Sequence, residues 1–329
     1  MRELKYTSDD LKIMQTWSLE RKIQVTQTKI MEFYNHLQGQ VFVSTSGGKD
    51  SAVLLDLARR VYPDIEAVFV DTGLEFPEVR NIAINLPNVT ILKPKKTFVE
   101  VVNEYGWCYP SKDLSHIIYY AKRGSSWANH RINGRDSKGE PSKWCEDNYA
   151  KWKHLVNAPH KISAKCCEIM KENPLDVYSR KTKKRPIVGT MATDSTRRKQ
   201  AWFQTGCNNF SGRIPMSKPI SFWSTQDVLQ YLTRTGIKIA SVYGDIVEEK
   251  GKMVTTGEQR TGCMFCPIGS NKEKVNRFQR MAKTHPKLHR YCMDKLGLGE
   301  FLDYVGVSRG ERDEEGKGQK LVQEGGDTT

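Results

Sequence analysis

The sequence predicts an α/β fold: a twisted parallel sheet with helices on both faces, an N-terminal helix before it and a smaller cysteine-bearing region after it. Three observations carry this. Short, apolar, β-branched runs recur as "VFVSTS" (41–46), "IEAVFVDT" (65–72) and "VTILKP" (89–94). The stretches between them, "SAVLLDLARRVY" and "FPEVRNIAINL", have helical period. The first strand hands over to its helix through a Gly-rich turn. Strand–helix–strand units at this spacing require right-handed crossovers and therefore parallel strands.

Taken in order, residues 7–38 read as one long amphipathic helix, entered through Thr7 and Ser8 with Asp9 and Asp10 in its first turn. Residues 1–38 thus form an N-terminal helical segment and 39–235 the sheet domain. "TFVEVVNEYG" continues the alternation after the third strand, and "RPIVGTM" (185–191) supplies a fourth. Residues 107–160 interrupt the pattern with Trp107, Trp127, Trp144 and Trp152 and with His116, His130, His154 and His160. Their middle is rich in Gly and Ser without apolar period, so they are expected as an insertion over the carboxyl edge of the sheet. Residues 236–306 form the C-terminal region, and the charged, Gly-rich stretch 307–329 is expected to be disordered.

The chain has 329 residues, with 52 Lys and Arg against 38 Asp and Glu, a formal charge of +14. That excess suits polyanionic partners, either nucleic acid or a multiply phosphorylated nucleotide. No apolar run approaches the ~20 residues that span a bilayer. With the polar opening "MRELKYTSDD", neither a signal peptide nor a membrane anchor is expected, and the location expected is cytoplasmic. Eight cysteines in such a compartment point to metal binding or catalysis rather than disulfides.

Beyond the first strand, "STSGGKDS" places Gly47 and Gly48 where the backbone can approach a ligand closely. Ser44, Ser46 and Ser51 offer hydroxyls, Lys49 a cation and Asp50 a carboxylate. At a helix N-terminus beyond the carboxyl end of a parallel strand, this is an anion cradle. It is not a Walker A loop: position 43 is Val where that motif needs Gly, and Asp50 replaces its metal-binding Ser or Thr. The stretch resembles the PP-loop, Ser-Gly-Gly-x-Asp-Ser, of the N-type ATP pyrophosphatases. That resemblance implies the adenine nucleotide α-hydrolase-like fold, ATP and Mg2+ as cofactors, and cleavage between the α- and β-phosphates.

"VDTGLEFPEV" (70–79) ends the second strand and resembles the Asp-Thr-Gly-x-x-Phe-Pro-Glu segment of the phosphoadenosine phosphosulfate and adenosine phosphosulfate reductases, a branch of the same superfamily. Asp71, Thr72 and Gly73 are the candidates there, Asp71 as a ligand of hydrated magnesium, a nucleotide contact, or a cap of the helix that follows. "GTMATDSTRRKQ" (189–200) resembles the segment of that family that closes on substrate. It departs from the pattern at Met191, where the family often has Arg. Gly189, Ser195, Arg197 and Arg198 remain to meet phosphate or sulfate oxygens, unless the charges simply face solvent.

"ISAKCCEIMK" (162–171) and "TGEQRTGCMFCPIG" (256–269) complete the candidate set. Cys263-x-x-Cys266 alone suits zinc, a redox pair or an iron–sulfur cluster. Consecutive side chains diverge, so Cys166 and Cys167 would strain a single tetrahedral ion, whereas a cluster offers each its own iron. The pattern resembles the 4Fe–4S site of bacterial adenosine phosphosulfate reductases, with Zn2+ the other metal such a set can hold.

The sulfonucleotide reductases also carry a catalytic cysteine in a Glu-Cys-Gly-Leu-His tail, and no cysteine follows Cys292 here. They usually have a degenerate PP-loop, whereas this one is complete. The expectation is therefore an ATP-cleaving, adenylating enzyme of sulfur transfer with catalytic candidates Lys49, Asp50, Asp71, Arg197 and Arg198. The iron–sulfur PP-loop enzymes of DNA phosphorothioation and tRNA thiolation are the nearest such chemistry, which implies a sulfur donor such as a cysteine desulfurase. The basic excess and the Trp-, Arg- and Lys-rich residues 107–160 fit a nucleic-acid surface, unless those tryptophans pack the insertion onto the core as a structural lid. Two alternatives stand beside it: a sulfonucleotide reductase using Cys207, Cys292 or a partner's cysteine, and a nucleotide-sensing or DNA-binding module without turnover.

Overall fold

A computed structural model describes residues 4–211 and 214–310. They fall into two compact units, one built from residues up to 107 and 163–266, the other from 108–162 and the residues after 266.

The chain opens with α1 (Ser8–Thr16) and α2 (Leu19–His36). Thr7 caps α1 in the expected capping box with Asp10. The single long helix expected over 7–38 is instead two, because Trp17 and Ser18 are extended and the Ser18 hydroxyl accepts from Arg21 N to start α2. The sheet follows with β1 (Val41–Thr45), α3 (Lys49–Arg59), β2 (Ala67–Val70), α4 (Pro77–Ile84), β3 (Val89–Leu92) and α5 (Phe98–Tyr105). The second unit then contributes α6 (Lys112–Ala121), α7 (Ser126–Ile132) and α8 (Lys143–Tyr149). Back in the first unit come α9 (Lys165–Cys167), a π-turn over Glu168–Glu172, α10 (Asn173–Thr182), β4 (Arg185–Val188), α11 (Thr196–Thr205), β5 (Asn208–Asn209), β6 (Met216–Ser217), α12 (Thr225–Thr235) and a hairpin of β7 (Ile246–Glu249) and β8 (Lys252–Thr255).

The six-stranded sheet has the order β3-β2-β1-β4-β6-β5. All neighbours are parallel except the two-residue β5, which pairs antiparallel with β6 at one edge. The chain leaves β1 towards β2 and β3, then returns to place β4 on the other side of β1. The crevice beyond the carboxyl ends of β1 and β4 is therefore the topological switch point where such sheets bind ligands. Val41, Phe42 and Val43 of β1 and all of β2 are buried, as strands covered on both faces must be. The core beside them joins Leu54, Leu57, Ile30, Phe33, Trp223 and Leu229. Within it Lys22 is 2 % exposed and donates to Asp227 at 2.7 Å, a paired buried charge linking α2 to α12.

In the second unit, α6 packs on α7 and α7 on α8, while α13 (Arg277–Thr284) packs on α14 (Pro286–Arg290) ahead of α15 (Leu298–Tyr304). Tyr109, Leu155, Phe278 and Phe301 are buried there, and Tyr109 meets Phe301 edge-on. The division differs from the one read in the sequence. Residues 236–266 belong with the sheet, and those after 266 with the 108–162 segment. Local backbone bonds show why: Met264 N donates to Leu74 O at 2.8 Å, and Gly269 N to Pro110 O at 3.2 Å. Of the four tryptophans in the segment, Trp107 is buried, Trp152 packs edge-on against Tyr109, and only Trp144 is mostly exposed. Of the tail expected to be disordered, residues 311–329 lie outside the described residues.

Candidate active site

The turn after β1 is held by its own hydroxyls. Ser51 Oγ donates to Gly48 O at 2.8 Å and accepts from Ser46 N at 3.2 Å, with Thr45 Oγ1 and Ser46 Oγ each 3.3 Å away. Gly47 N donates to Thr45 Oγ1 and Gly48 N to Ser46 Oγ. Gly47 needs to be glycine: its φ is +71°, and an added Cβ would lie 2.5 Å from the carbonyl oxygen of Val79. Gly48 has no side chain to cap the start of α3, so the positive end of the helix dipole lies at the turn. Ser44 sits within the sheet, paired in register with Val68 and Val188, one step before the turn.

Lys49 is expected from the sequence to add a cation to the turn. It is 2 % exposed, and its ammonium pairs with Asp50 Oδ1 at 3.1 Å. Its backbone N donates to the hydroxyl of Tyr243, which lies 3.0 Å from Thr261 Oγ1. Tyr243 and Thr261 adjoin the candidate site and were not singled out in the sequence. They lie far along the chain, and no local pattern marks them.

At the end of β2, Asp71 is buried and accepts two bonds from Arg80, Nε at 2.8 Å and Nη2 at 2.7 Å. The Arg80 guanidinium holds the Asp71 carboxyl below its ordinary value, helped by the Gly73 amide and the charge of Lys93. Both oxygens thus serve an arginine, so Asp71 neither caps α4 nor presents a free carboxylate. Thr72 is tied to Glu75, whose carboxylate accepts its N–H at 3.2 Å and its hydroxyl at 2.9 Å. Gly73 has φ +72° and open space around it.

Beyond β4, Gly189 lies against the turn: a Cβ there would come 3.2 Å from Asp50 O and 3.3 Å from Ser51 Cα. The first and fourth βα turns therefore meet at the switch point. Ser195 acts as the cap of α11, its hydroxyl accepting from Arg198 N at 3.3 Å. Arg198 is ion-paired with Asp194, which also accepts from Arg260 Nη2 at 2.6 Å. Arg197 is exposed.

The cysteines divide by environment. Cys166, Cys167, Cys263 and Cys266 are half-buried, whereas Cys108, Cys145, Cys207 and Cys292 are buried; none is bridged. Burial raises the Cys207 thiol and pushes that of Cys292 up to about 12, which makes both poor nucleophiles. Cys266 N donates to Cys263 O at 3.1 Å, closing the Cys-x-x-Cys turn, and the bond from Met264 N fastens it to the loop after β2. Lys171, missed in the sequence although it lies four residues after Cys167, ties the two cysteine segments together. Its ammonium is 3.4 Å from Glu75 Oε1 and bonds to Cys263. Burial alone would lower its affinity for the proton, but Cys263, Glu75 and Cys167 together hold it above its ordinary value. Among the described residues no three His, Cys, Asp or Glu side chains are grouped as ligands of one ion. The set offers four unbridged thiols, from two segments that share one lysine.

A family model described as the phosphoadenosine phosphosulfate reductase domain matches residues 40–114 and 130–268. An uncharacterized protein of Methanocaldococcus jannaschii is 24 % identical over 279 residues, 84 % of this chain and 53 % of that protein. The adenosine 5'-phosphosulfate reductase of Streptomyces coelicolor is 22 % identical over 291 residues, 86 % of this chain and 96 % of that enzyme. A phosphoadenylyl-sulfate reductase structure from Candida auris aligns with a TM-score of 0.38 at 14 % identity, covering 77 % of this chain and all of that one. The chain spans about half the length of the first curated relatives it matches, 53 % and 46 %. With the matched residues running from β1 through the second cysteine pair, the chain belongs to the phosphoadenosine phosphosulfate reductase domain family.

Proposed function

We propose that this protein binds ATP at the turn after β1, cleaves it between the α- and β-phosphates, and passes AMP to an acceptor on the way to sulfur transfer. The observation that supports this most is the glycine-capped start of α3 between the Gly47–Gly48 turn and Gly189, ringed by the hydroxyls of Thr45, Ser46 and Ser51. Such a cradle stabilises charge developing on departing pyrophosphate. An acceptor oxygen attacks the α-phosphorus, the bond from that phosphorus to the bridging oxygen breaks, pyrophosphate leaves, and the acceptor's proton passes to solvent. Arg197, and Arg198 if it leaves Asp194, lie on the segment that would neutralise the α-phosphate.

Asp50, partly exposed, is the carboxylate that would hold Mg2+, while Asp71 would act through Arg80. The ion would supply charge neutralisation on the phosphates. Cys166, Cys167, Cys263 and Cys266 would hold a 4Fe–4S cluster, which would supply a redox-capable centre beside the loop after β2.

A second reading, reduction of adenosine phosphosulfate, is favoured by the relative of that name in Streptomyces coelicolor. The raised thiols of Cys207 and Cys292 oppose either as its nucleophile, so a partner's cysteine would be needed. ATP labelled separately on the α- and γ-phosphates decides between them, in a screen of DNA, tRNA and small sulfur compounds. Pyrophosphate and a transient adenylate are expected. Release of γ-phosphate alone overturns the proposal, and sulfite formed from adenosine phosphosulfate alone establishes the second reading.

A further inference from the structure

Along the β3 edge of the sheet runs a groove of about 630 Å3, walled by the β3–α5 connection on one side and by α9–α10 on the other. Its rim carries Lys93, Lys95, Lys96, Lys165 and Lys181, against one acidic side chain, Glu168. Lys96 is paired with Glu104 and Lys165 with Glu168. Among the described residues Lys95 and Lys181 have no carboxylate within ion-pair distance, so the groove keeps an excess of positive charge. Its floor is apolar, from Leu92, Pro174 and Val177, and the Tyr105 ring at one wall carries the Lys96 ammonium over one face, 5.7 Å from the centroid.

We propose that this groove binds a short segment of single-stranded nucleic acid, bases on the apolar floor and Tyr105, phosphates on the lysine rim. Few other ligands combine flat, weakly polar faces with a regular line of negative charge. The volume is in the range of ordinary ligand pockets and suits one or two nucleotides. Its position ties it to the candidate active site at both ends. Lys93 acts electrostatically on Asp71, and Lys165 and Glu168 flank Cys166 and Cys167 directly. A strand lying here would run along the sheet edge, not along the 107–160 segment where the sequence suggested an acceptor.

The inference rests on the adenylation reading for the identity of the acceptor, but strand binding is measurable without turnover. The probe is a fluorescent strand of about eight nucleotides, within the usual footprint of single-strand binders, titrated in the absence of ATP. Lys95→Glu/Lys181→Glu should weaken binding at least tenfold and lower the log–log salt slope by about 1.4, two phosphate contacts at roughly 0.7 each. ATP affinity by calorimetry should not change. Lys95→Gln/Lys181→Gln, which adds no repulsion, should give the same slope change and serves if the reversal variant fails to fold. Unaltered affinity and slope in the Gln variant, no strand binding by the wild-type protein, or equal competition by inorganic tripolyphosphate would each overturn the proposal. ATP cleavage that persists alongside any of these outcomes leaves the adenylation reading standing.

Discussion

Gly47→Ala tests the turn after β1 most directly, because the structure separates two costs that one substitution would impose. The first is conformational: at φ +71° a Cβ costs about 1 kcal/mol. The second is steric, since that Cβ would sit 2.5 Å from Val79 O, a backbone atom within α4 that cannot swing away, and 3.0 Å from Ala83 Cβ. Gly73 provides the internal control, having φ +72° and nothing within 4 Å of its Cβ position. Gly73→Ala should lose only about 1 kcal/mol of stability in urea unfolding. Gly47→Ala should lose about 3 kcal/mol, in the range of overpacking added to strain. If the extra ~2 kcal/mol is relieved by displacing the turn, ATP affinity in titration calorimetry should fall by about 30-fold, at roughly 1.4 kcal/mol per tenfold. Stabilities within about 0.5 kcal/mol of each other, the usual scatter of benign substitutions, together with unchanged ATP affinity, would refute the assignment of this turn as a phosphate cradle.

The Asp71–Arg80 pair predicts a pH signature. Its lowered carboxyl contributes stability that is fully present above the ordinary Asp value of 3.8 and fades as pH falls through the lower folded value. Arg80→Met should therefore cost about 1–2 kcal/mol at pH 7, discounted for the half-exposed guanidinium, with the gap to wild type narrowing below pH 4; a pH-independent gap would contradict the pairing. For the cysteines, protein prepared anaerobically should contain iron that Cys263→Ser loses together with soluble yield. Alkylation at pH 8 should spare Cys207 and Cys292 until denaturant is added. Zinc in place of iron, or native labelling of Cys292, would count against the two assignments respectively.

The central strands β1 and β2 were legible because they are buried on both faces and must be mostly continuous apolar runs, and the Thr7 box because capping is local. The interruption at Trp17–Ser18 was hidden, since the apolar period continues across it and one serine cap outweighs it. β5 and β6, two residues each, carry too little sequence to show a period. In the site, residue types and turns were readable, but pairings were not. Nothing near Asp71 announces that Arg80, one α4 turn into the next helix, takes both its oxygens. Ser195 resembled a phosphate ligand because a helix cap and an anion site demand the same hydroxyl in the same place. Tyr243, 194 positions from Lys49, and Lys171, joined to Glu75, depend on tertiary packing that no window of sequence contains.

On the proposed reading of the turn as a phosphate cradle, the bond from Lys49 N to the Tyr243 hydroxyl bears on its selectivity among phosphates. With that amide satisfied by tyrosine, and those of Ser46, Gly47 and Gly48 by the loop's own hydroxyls, a ligand oxygen arriving here exchanges partners with groups already bonded. The enthalpy of each contact is then a difference between two bonds of similar strength, close to zero for a single terminal oxygen. A monophosphate gains little by such a swap. A polyphosphate makes several at once for a single loss of translational freedom, so chain length, more than charge at any one atom, sets what the loop retains.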